Sequence, residues 1–226
     1  MSQVDEIVQL LRGLPGEVSH RLLSEGDNPE DGLSTEETSA LSDRAVSSRA
    51  ESFRLGRSAA RDALEQLGVG RPSIGVGSYR QPLWPDGIVG SITHTRSIAI
   101  AAVGRESEVG GIGVDLEALR PFDGLKRHVA FGDELKWLDR LGGAEADVKT
   151  IEIFSAKEAI FKAFYPRVQR FFGFDSASVE PTDSGDHYVG RLAHDLDARY
   201  PPSRTFRISV GWAGDLILAA LILEPD

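Results

Sequence analysis

The sequence predicts an α+β protein made of two similar halves that meet near residue 108. The strongest observation is an echo between two stretches. IVGSITHTRSIAIAAV, beginning at Ile88, reads as apolar strand, short polar turn and apolar strand. The tail RTFRISVGWAGDLILAALILE, beginning at Arg204, repeats that order in diverged form. A second observation is the alternation of segments with helical and strand periodicity along the chain. A third is composition: 226 residues, 41% hydrophobic and 27% charged, can bury a core as one large domain or two small ones.

Taken in order, residues 1–24 read as a short amphipathic helix followed by a strand or turn. Ser24–Thr38 (SEGDNPEDGLSTEET) is acidic and rich in turn formers, and an exposed loop is expected. Ser34–Leu67 carries apolar residues at helical spacing, including Leu41, Ala45, Phe53, Leu55, Ala59, Ala60, Ala63, Leu64 and Leu67. Weak helix formers at Val46–Ser48 predict a break there, and Gly68, Gly70 and Pro72 end the helix. SIGVGSYRQPLWPDG is turn-rich and leads into the first hairpin. Arg105–Glu108 is the expected linker, dividing 1–108 from 109–226. GIGVDLE then reads as a strand, Asp133–Leu141 as a helical stretch, and DVKTIEIFSAKEAIFKAFYP as a stronger helix that Pro166 stops. The tail supplies the second hairpin.

The formal charge of −10 argues against nonspecific nucleic-acid binding, which needs a basic face, although a local basic pocket can still hold a small polyanion. The chain has no cysteine, which excludes disulfides, thiolate metal sites and a cysteine nucleophile, and which fits a reducing compartment. MSQVDEIVQLLRGLP is too polar for a signal peptide, and no apolar run is long enough to span a bilayer. A cytoplasmic protein without membrane association is expected.

Asp115 and Glu117 share one face of their strand, because successive side chains alternate. Two carboxylates held so close repel unless a cation or proton sits between them, and such an oxygen set suits Mg²⁺ beside a phosphate. By itself D-x-E is common enough to be a solvated strand end. On the later helix Glu158 and Lys162 are four residues apart and share a face, with Lys157 adjacent; alone they would be an ordinary surface ion pair. His94 closes the SITH strand, and Arg49, Arg54, Arg57 and Arg61 flank Phe53, a pattern that also fits an exposed arginine face. No nucleophile elbow, dinucleotide fingerprint or Walker sequence is present.

In combination, RAESFRLGRSAARDAL, QPLWPDGIVGSITHT, GIGVDLE and FSAKEAIFKAFYP appear in the order found in one family. The sequence resembles the Sfp-type 4′-phosphopantetheinyl transferases, in particular the EntD-like subgroup, over most of residues 44–166. The resemblance implies two similar α/β subdomains in pseudo-twofold arrangement with the active site between them. The first would serve the nucleotide side of coenzyme A, the second the metal and catalytic helix. It implies transfer of the phosphopantetheine arm of coenzyme A to a serine of an apo acyl or peptidyl carrier protein, releasing adenosine 3′,5′-bisphosphate. It implies that Asp115 and Glu117 hold Mg²⁺, with Mn²⁺ an alternative. Glu158 would be a third ligand or the base for the serine proton, and Lys157 and Lys162 would stand near the phosphates. Arg49, Arg57, Thr93 and His94 would bind the nucleotide part of coenzyme A, its 3′-phosphate included, and Tyr79 and Arg80 its adenine end. Phe154-Ser155 replaces the Trp-Thr of many members, and Gln81 stands where an acid is common.

The expected enzyme is a monomer acting on siderophore, peptide, polyketide or fatty-acid-type synthases. RVQRFFGF, after Pro166, is a candidate carrier-docking surface or equally a packed loop. The rival readings are a Mg²⁺-dependent nucleotide phosphohydrolase, and a module that binds coenzyme A or a carrier without catalysis.

Overall fold

The structure is a computed structural model; it describes all residues except 28–31, 42–46, 121–123, 186 and 226. Helix α1 (Gln3–Leu11) leads to strand β1 (Ser19–Ser24), helices α2 (Thr35–Ser39) and α3 (Ser47–Gln66), and a two-stranded ribbon, β2 (Gly75–Val76) with β3 (Pro82–Leu83). The first hairpin follows, β4 (Ile88–His94) and β5 (Ile98–Arg105), then β6 (Gly111–Ala118). Helices α4 (Leu125–Val129), α5 (Asp133–Arg140) and α6 (Gly143–Val168) come next, and a 3₁₀ turn at Phe174–Ser176. Strands β7 (Ala177–Pro181), β8 (His187–Leu192), β9 (Thr205–Ala213) and β10 (Leu216–Leu223) complete a mixed α/β fold.

Two antiparallel sheets result, ordered β1-β5-β4 and β6-β10-β9-β8-β7. Strands β5 and β10 lie inside their sheets and are buried on both faces, which is why IAIAAV and LILAALIL read as continuous apolar runs. Ala99, Ala101 and Val103 of β5 pack against Leu55, Ala59, Ala63 and Leu64 of α3. Its other face, with Ile98 and Ile100, meets Leu116, Leu216 and Leu218. Likewise Ile217, Ala219 and Leu221 of β10 join Ile153, Ala156, Ile160 and Phe164 of α6. The chain's first helix belongs to the shared cluster: Ile7 and Leu11 of α1 pack with Ala213 and Leu218, far along the chain.

The edge strands β4 and β6 lie beside each other across the junction. Side-chain hydroxyls take the place of ladder carbonyls there: Ser91 Oγ accepts from Val114 N at 3.0 Å, and Thr93 Oγ1 from Leu116 N at 3.0 Å. The equal offset means that the two strands run in the same direction.

Several expectations need correction. Within Ser24–Thr38 the described residues include the start of α2, and Glu37 is fully buried rather than exposed in a loop. Ser34 and Glu37 form a reciprocal capping box, and Arg61 completes the carboxylate's bonding. Of the expected break at Val46–Ser48, Val46 lies outside the described residues, and α3 begins at Ser47. The α3 arginines do not form one exposed face, since Arg57 and Arg61 are each 4% exposed. Pro166 does not stop α6, which runs to Val168 before Gln169 adopts a left-handed φ of 52°. A proline in the last turn removes one N–H donor there, so the helix survives it briefly.

Candidate functional site

The site is built where α6 crosses β6, and the two glycines of GIGVDLE permit that crossing. A Cβ on Gly113 would stand 1.8 Å from Ala159 O, and one on Gly111 2.6 Å from Ala163 O. Any larger residue would push the helix off the strand. With the helix seated, Lys162 Nζ reaches Asp115 Oδ1 at 2.6 Å and Val114 O at 3.1 Å. Lys162 therefore spends its charge on the strand acid rather than on Glu158 one turn away. Ser155 Oγ donates to Asp115 O at 3.3 Å, which gives the hydroxyl of Phe154-Ser155 a structural task. Thr93 Oγ1 donates a long bond of 3.4 Å to Asp115 Oδ1.

Asp115 is 2% exposed, and its second oxygen, Oδ2, is buried without a hydrogen-bond partner among the described residues. Burial and then the Asp115 charge push the Glu117 carboxyl up to about 7; Lys162 opposes this and Glu158 adds to it. Burial also raises Glu158, against the pull of Lys162. Desolvation lowers the His94 imidazole, and the charges of Lys162 and Arg49 lower it further. Three carboxylates and one ammonium thus influence one another, which leaves the cluster short of positive charge.

A divalent cation fits that deficit. The donors are all carboxylate oxygens, and one of them is buried and unused. Among the described residues, no three His, Asp or Glu side chains converge into a ready-made cage, so the expected three-acid set Asp115, Glu117 and Glu158 does not stand closed. Mg²⁺ commonly takes only one or two protein carboxylates and completes its shell with water and phosphate oxygens.

Two cavities flank the acids. One, of about 730 Å³, is lined by Arg49, His94, Arg96, Glu117 and Phe154. The other, of about 480 Å³, is lined by Glu158 and Lys157 with Phe131, Phe161, Phe172 and Phe174. The first offers cations and the second offers aromatic surface.

The remaining expected residues fall into distinct places. Arg57 lies outside the acid cluster: its guanidinium stacks 4.5 Å from the Phe53 ring and donates to Gly75 O at 3.3 Å, while Nε is buried without a partner among the described residues. Burial lowers it to about 10, with Glu37 and Arg61 acting in opposite senses. Tyr79 is exposed, yet its ring comes within 5.8 Å of Tyr165, so its loop reaches across to α6. Arg80 in that loop has φ of 67°, a conformation that is uncommon for a non-glycine residue. Lys157 is not brought to the acids; its ammonium donates to Glu134, Val129 O and Phe174 O. In RVQRFFGF, Phe171 is exposed and Phe172 buried, while Arg167 pairs with Asp197.

Sequence reading missed Glu37, Ser91, Ser155 and Glu134. Only Glu37 carried a usable signal, the Ser-x-x-Glu capping box at Ser34–Glu37. The other three act through partners distant in the chain.

Comparison with known proteins identifies the family. Residues 36–104 match the 4′-phosphopantetheinyl transferase N-terminal domain, and residues 111–211 match the 4′-phosphopantetheinyl transferase superfamily. The chain is 35% identical to 4′-phosphopantetheinyl transferase Svp of Streptomyces mobaraensis over 175 residues, 76% of this chain and 71% of that one. It is 35% identical to 4′-phosphopantetheinyl transferase PptT of Mycobacterium tuberculosis over 196 residues, 83% of this chain and 85% of that one. It is 39% identical to enterobactin synthase component D of Salmonella typhi over 132 residues, 55% of this chain and 51% of the relative. With these matches spanning the helix–strand crossing, the chain belongs to the 4′-phosphopantetheinyl transferase superfamily, of the Sfp/EntD type.

Proposed function

We propose that this enzyme transfers the 4′-phosphopantetheine arm of coenzyme A to a serine hydroxyl of an apo carrier protein. A bond forms between the serine oxygen and the β-phosphorus of coenzyme A. The bridging P–O bond breaks, and adenosine 3′,5′-bisphosphate leaves with the electron pair. The observation that carries the reading is the Lys162–Asp115 contact across the helix–strand crossing, with an unused Asp115 oxygen and Glu117 and Glu158 around it.

The chain's own residues divide the work. Lys162 supplies positive charge beside the pyrophosphate as it develops charge on the leaving oxygen. Arg49 and His94 sit in the cationic cleft that would take the nucleotide, and Arg57 is the residue for the 3′-phosphate, which a guanidinium fork can grip. Tyr79 and Arg80 belong to the loop that would cover the adenine end. The aromatic cavity beside Glu158 has room for the pantetheine arm. Glu158, its carboxyl raised by burial and so made a stronger base than an ordinary carboxylate, is suited to receive the serine proton. Asp115 and Glu117 would hold Mg²⁺, or Mn²⁺, and Glu158, if it did not serve as the base, would be the third ligand. Bound there, the ion would neutralise pyrophosphate charge.

The two halves, 1–108 and 109–226, are proposed as subdomains in pseudo-twofold relation that share the site, in a monomeric enzyme. Its carriers belong to siderophore, peptide, polyketide or fatty-acid-type synthases. Among the described residues no helix is long and apolar enough to cross a membrane, and a cytoplasmic location is proposed with the carrier substrates.

The test is mass spectrometry of an apo carrier protein incubated with enzyme, coenzyme A and Mg²⁺. A gain of one phosphopantetheine on its serine is expected. Release of adenosine bisphosphate without any carrier would instead mark a phosphohydrolase, and binding without turnover a non-catalytic module.

A further inference from the structure

Lys157 and Glu158 are neighbours on α6, so their side chains leave the helix about 100° apart. Glu158 faces the acid cluster, and Lys157 turns into the protein, where it is 2% exposed. An ammonium has three N–H donors, and here all three are used: Glu134 Oε2 at 2.7 Å, Val129 O at 2.8 Å and Phe174 O at 2.9 Å. Glu134 is equally committed. It accepts from Phe131 N at 2.9 Å and from Val179 N at 2.8 Å. The Phe131 ring stands 5.4 Å from the ammonium.

One ion pair therefore ties together the end of α4, the Phe131 turn, α5, the 3₁₀ turn and β7. Phe131 and Phe174 are walls of the aromatic cavity that opens beside Glu158. A buried ion pair contributes little net stability compared with apolar side chains of the same volume. What it adds is geometry: one ammonium fixes two backbone carbonyls and a carboxylate at hydrogen-bond distance, which an apolar side chain cannot do. A lysine that serves as a phosphate ligand would keep a donor for the anion, as Lys162 can at the open side of the cluster.

We propose that Lys157, with Glu134, is a positioning residue that clamps the walls of the aromatic cavity, and that it does not hold the phosphates of the substrate. The inference rests on the transfer reading, because it treats that cavity as the seat of the pantetheine arm.

Three enzymes, Glu134→Gln, Lys157→Met and the double variant, are titrated by calorimetry with coenzyme A and with adenosine 3′,5′-bisphosphate, which lacks the arm. Each should bind coenzyme A on the order of tenfold more weakly, yet bind the bisphosphate within about twofold of the unaltered enzyme. The double variant should be no worse than either single change, since both remove one clamp. A parallel fall in bisphosphate affinity would mean that Lys157 reads phosphate. Normal coenzyme A binding by Glu134→Gln, with loss confined to Lys157→Met, would mean direct contact with the arm. Either result overturns the proposal. Should a single variant fail to fold, the unaltered enzyme still answers through ¹⁵N-lysine ammonium NMR. The Lys157 signal should be slow to exchange and unmoved by bisphosphate; a shift like that of Lys162 refutes the clamp. If the unaltered enzyme binds neither ligand, the transfer reading is lost, and the ammonium signal continues to report on the clamp.

Discussion

Helices α3 and α6 make an instructive pair. Each packs small and aliphatic residues on a buried interior strand of one sheet, and each carries two cations that meet partners on other elements. In each, one cation is absorbed by the fold. Arg61 grips Glu37, 24 residues upstream, with 2.8 Å contacts to both oxygens, and Lys157 grips Glu134, 23 residues upstream. The other cation is engaged differently: among the described residues Arg57 donates to a backbone carbonyl, Gly75 O at 3.3 Å, and Lys162 touches an acid whose second oxygen is unused. The same residue types at neighbouring helical positions thus take structural or functional parts. The difference lies in the carboxylate that meets them: Glu37 and Glu134 have both oxygens occupied by the fold, whereas Asp115 Oδ2 has no partner among the described residues.

The comparison can be broken most decisively at the shared acid. Asp115→Ala should lower turnover by about 10³-fold or more, since it removes both the partner of Lys162 and a cation ligand from a preorganised site. Transfer to an apo carrier measures this, and near-normal rates would refute the assignment. Glu158→Gln should lower kcat by about 10²–10⁴-fold with little change in coenzyme A affinity; a loss of affinity alone would remove the proton-transfer role.

The arginines sharpen the contrast next. Arg61→Met strands a buried Glu37 and should cost about 3–5 kcal/mol of folding stability in denaturant titration. Arg57→Ala should cost less stability but weaken coenzyme A on the order of tenfold more than its 3′-dephospho analogue. Equal losses for both ligands would take the 3′-phosphate away from Arg57.

A separate expected effect is in pH dependence. The folded pKa of Glu117, about 7, lies above its ordinary value of 4.5, so the native state holds a proton that the unfolded chain gives up. Stability in chelator is therefore favoured below about 4.5 and should decline as pH rises from there toward about 7, by roughly 2 kcal/mol after allowance for partial solvent access. Unfolding at pH 5.5 and pH 8 would show this slope, and Glu117→Gln should flatten it. An unchanged slope in that variant would assign it to another group.

The hairpins, the acid-bearing strand and the α6 helix were legible because their signals are local. Alternation, helical spacing and the order of short motifs need no knowledge of distant contacts. The buried role of Glu37 was missed because acidic, turn-rich composition outweighed one capping box, although that box was present in the sequence. Strands β7 (Ala177–Pro181) and β8 (His187–Leu192) are not legible as strands in the sequence: their pairing completes a sheet whose other strands lie elsewhere in the chain.

The sequence by itself determined the α+β class, the family motifs and the residues that carry charge near the site. Only the tertiary structure decided which charges are free to act. Gly111 and Gly113 let α6 close onto β6, and that approach, not the i,i+4 spacing of Glu158 and Lys162, directs Lys162 to Asp115. The reason is physical: an ion pair forms with the acid that burial brings closest in a region water has left, and that choice depends on packing between segments that local sequence does not encode.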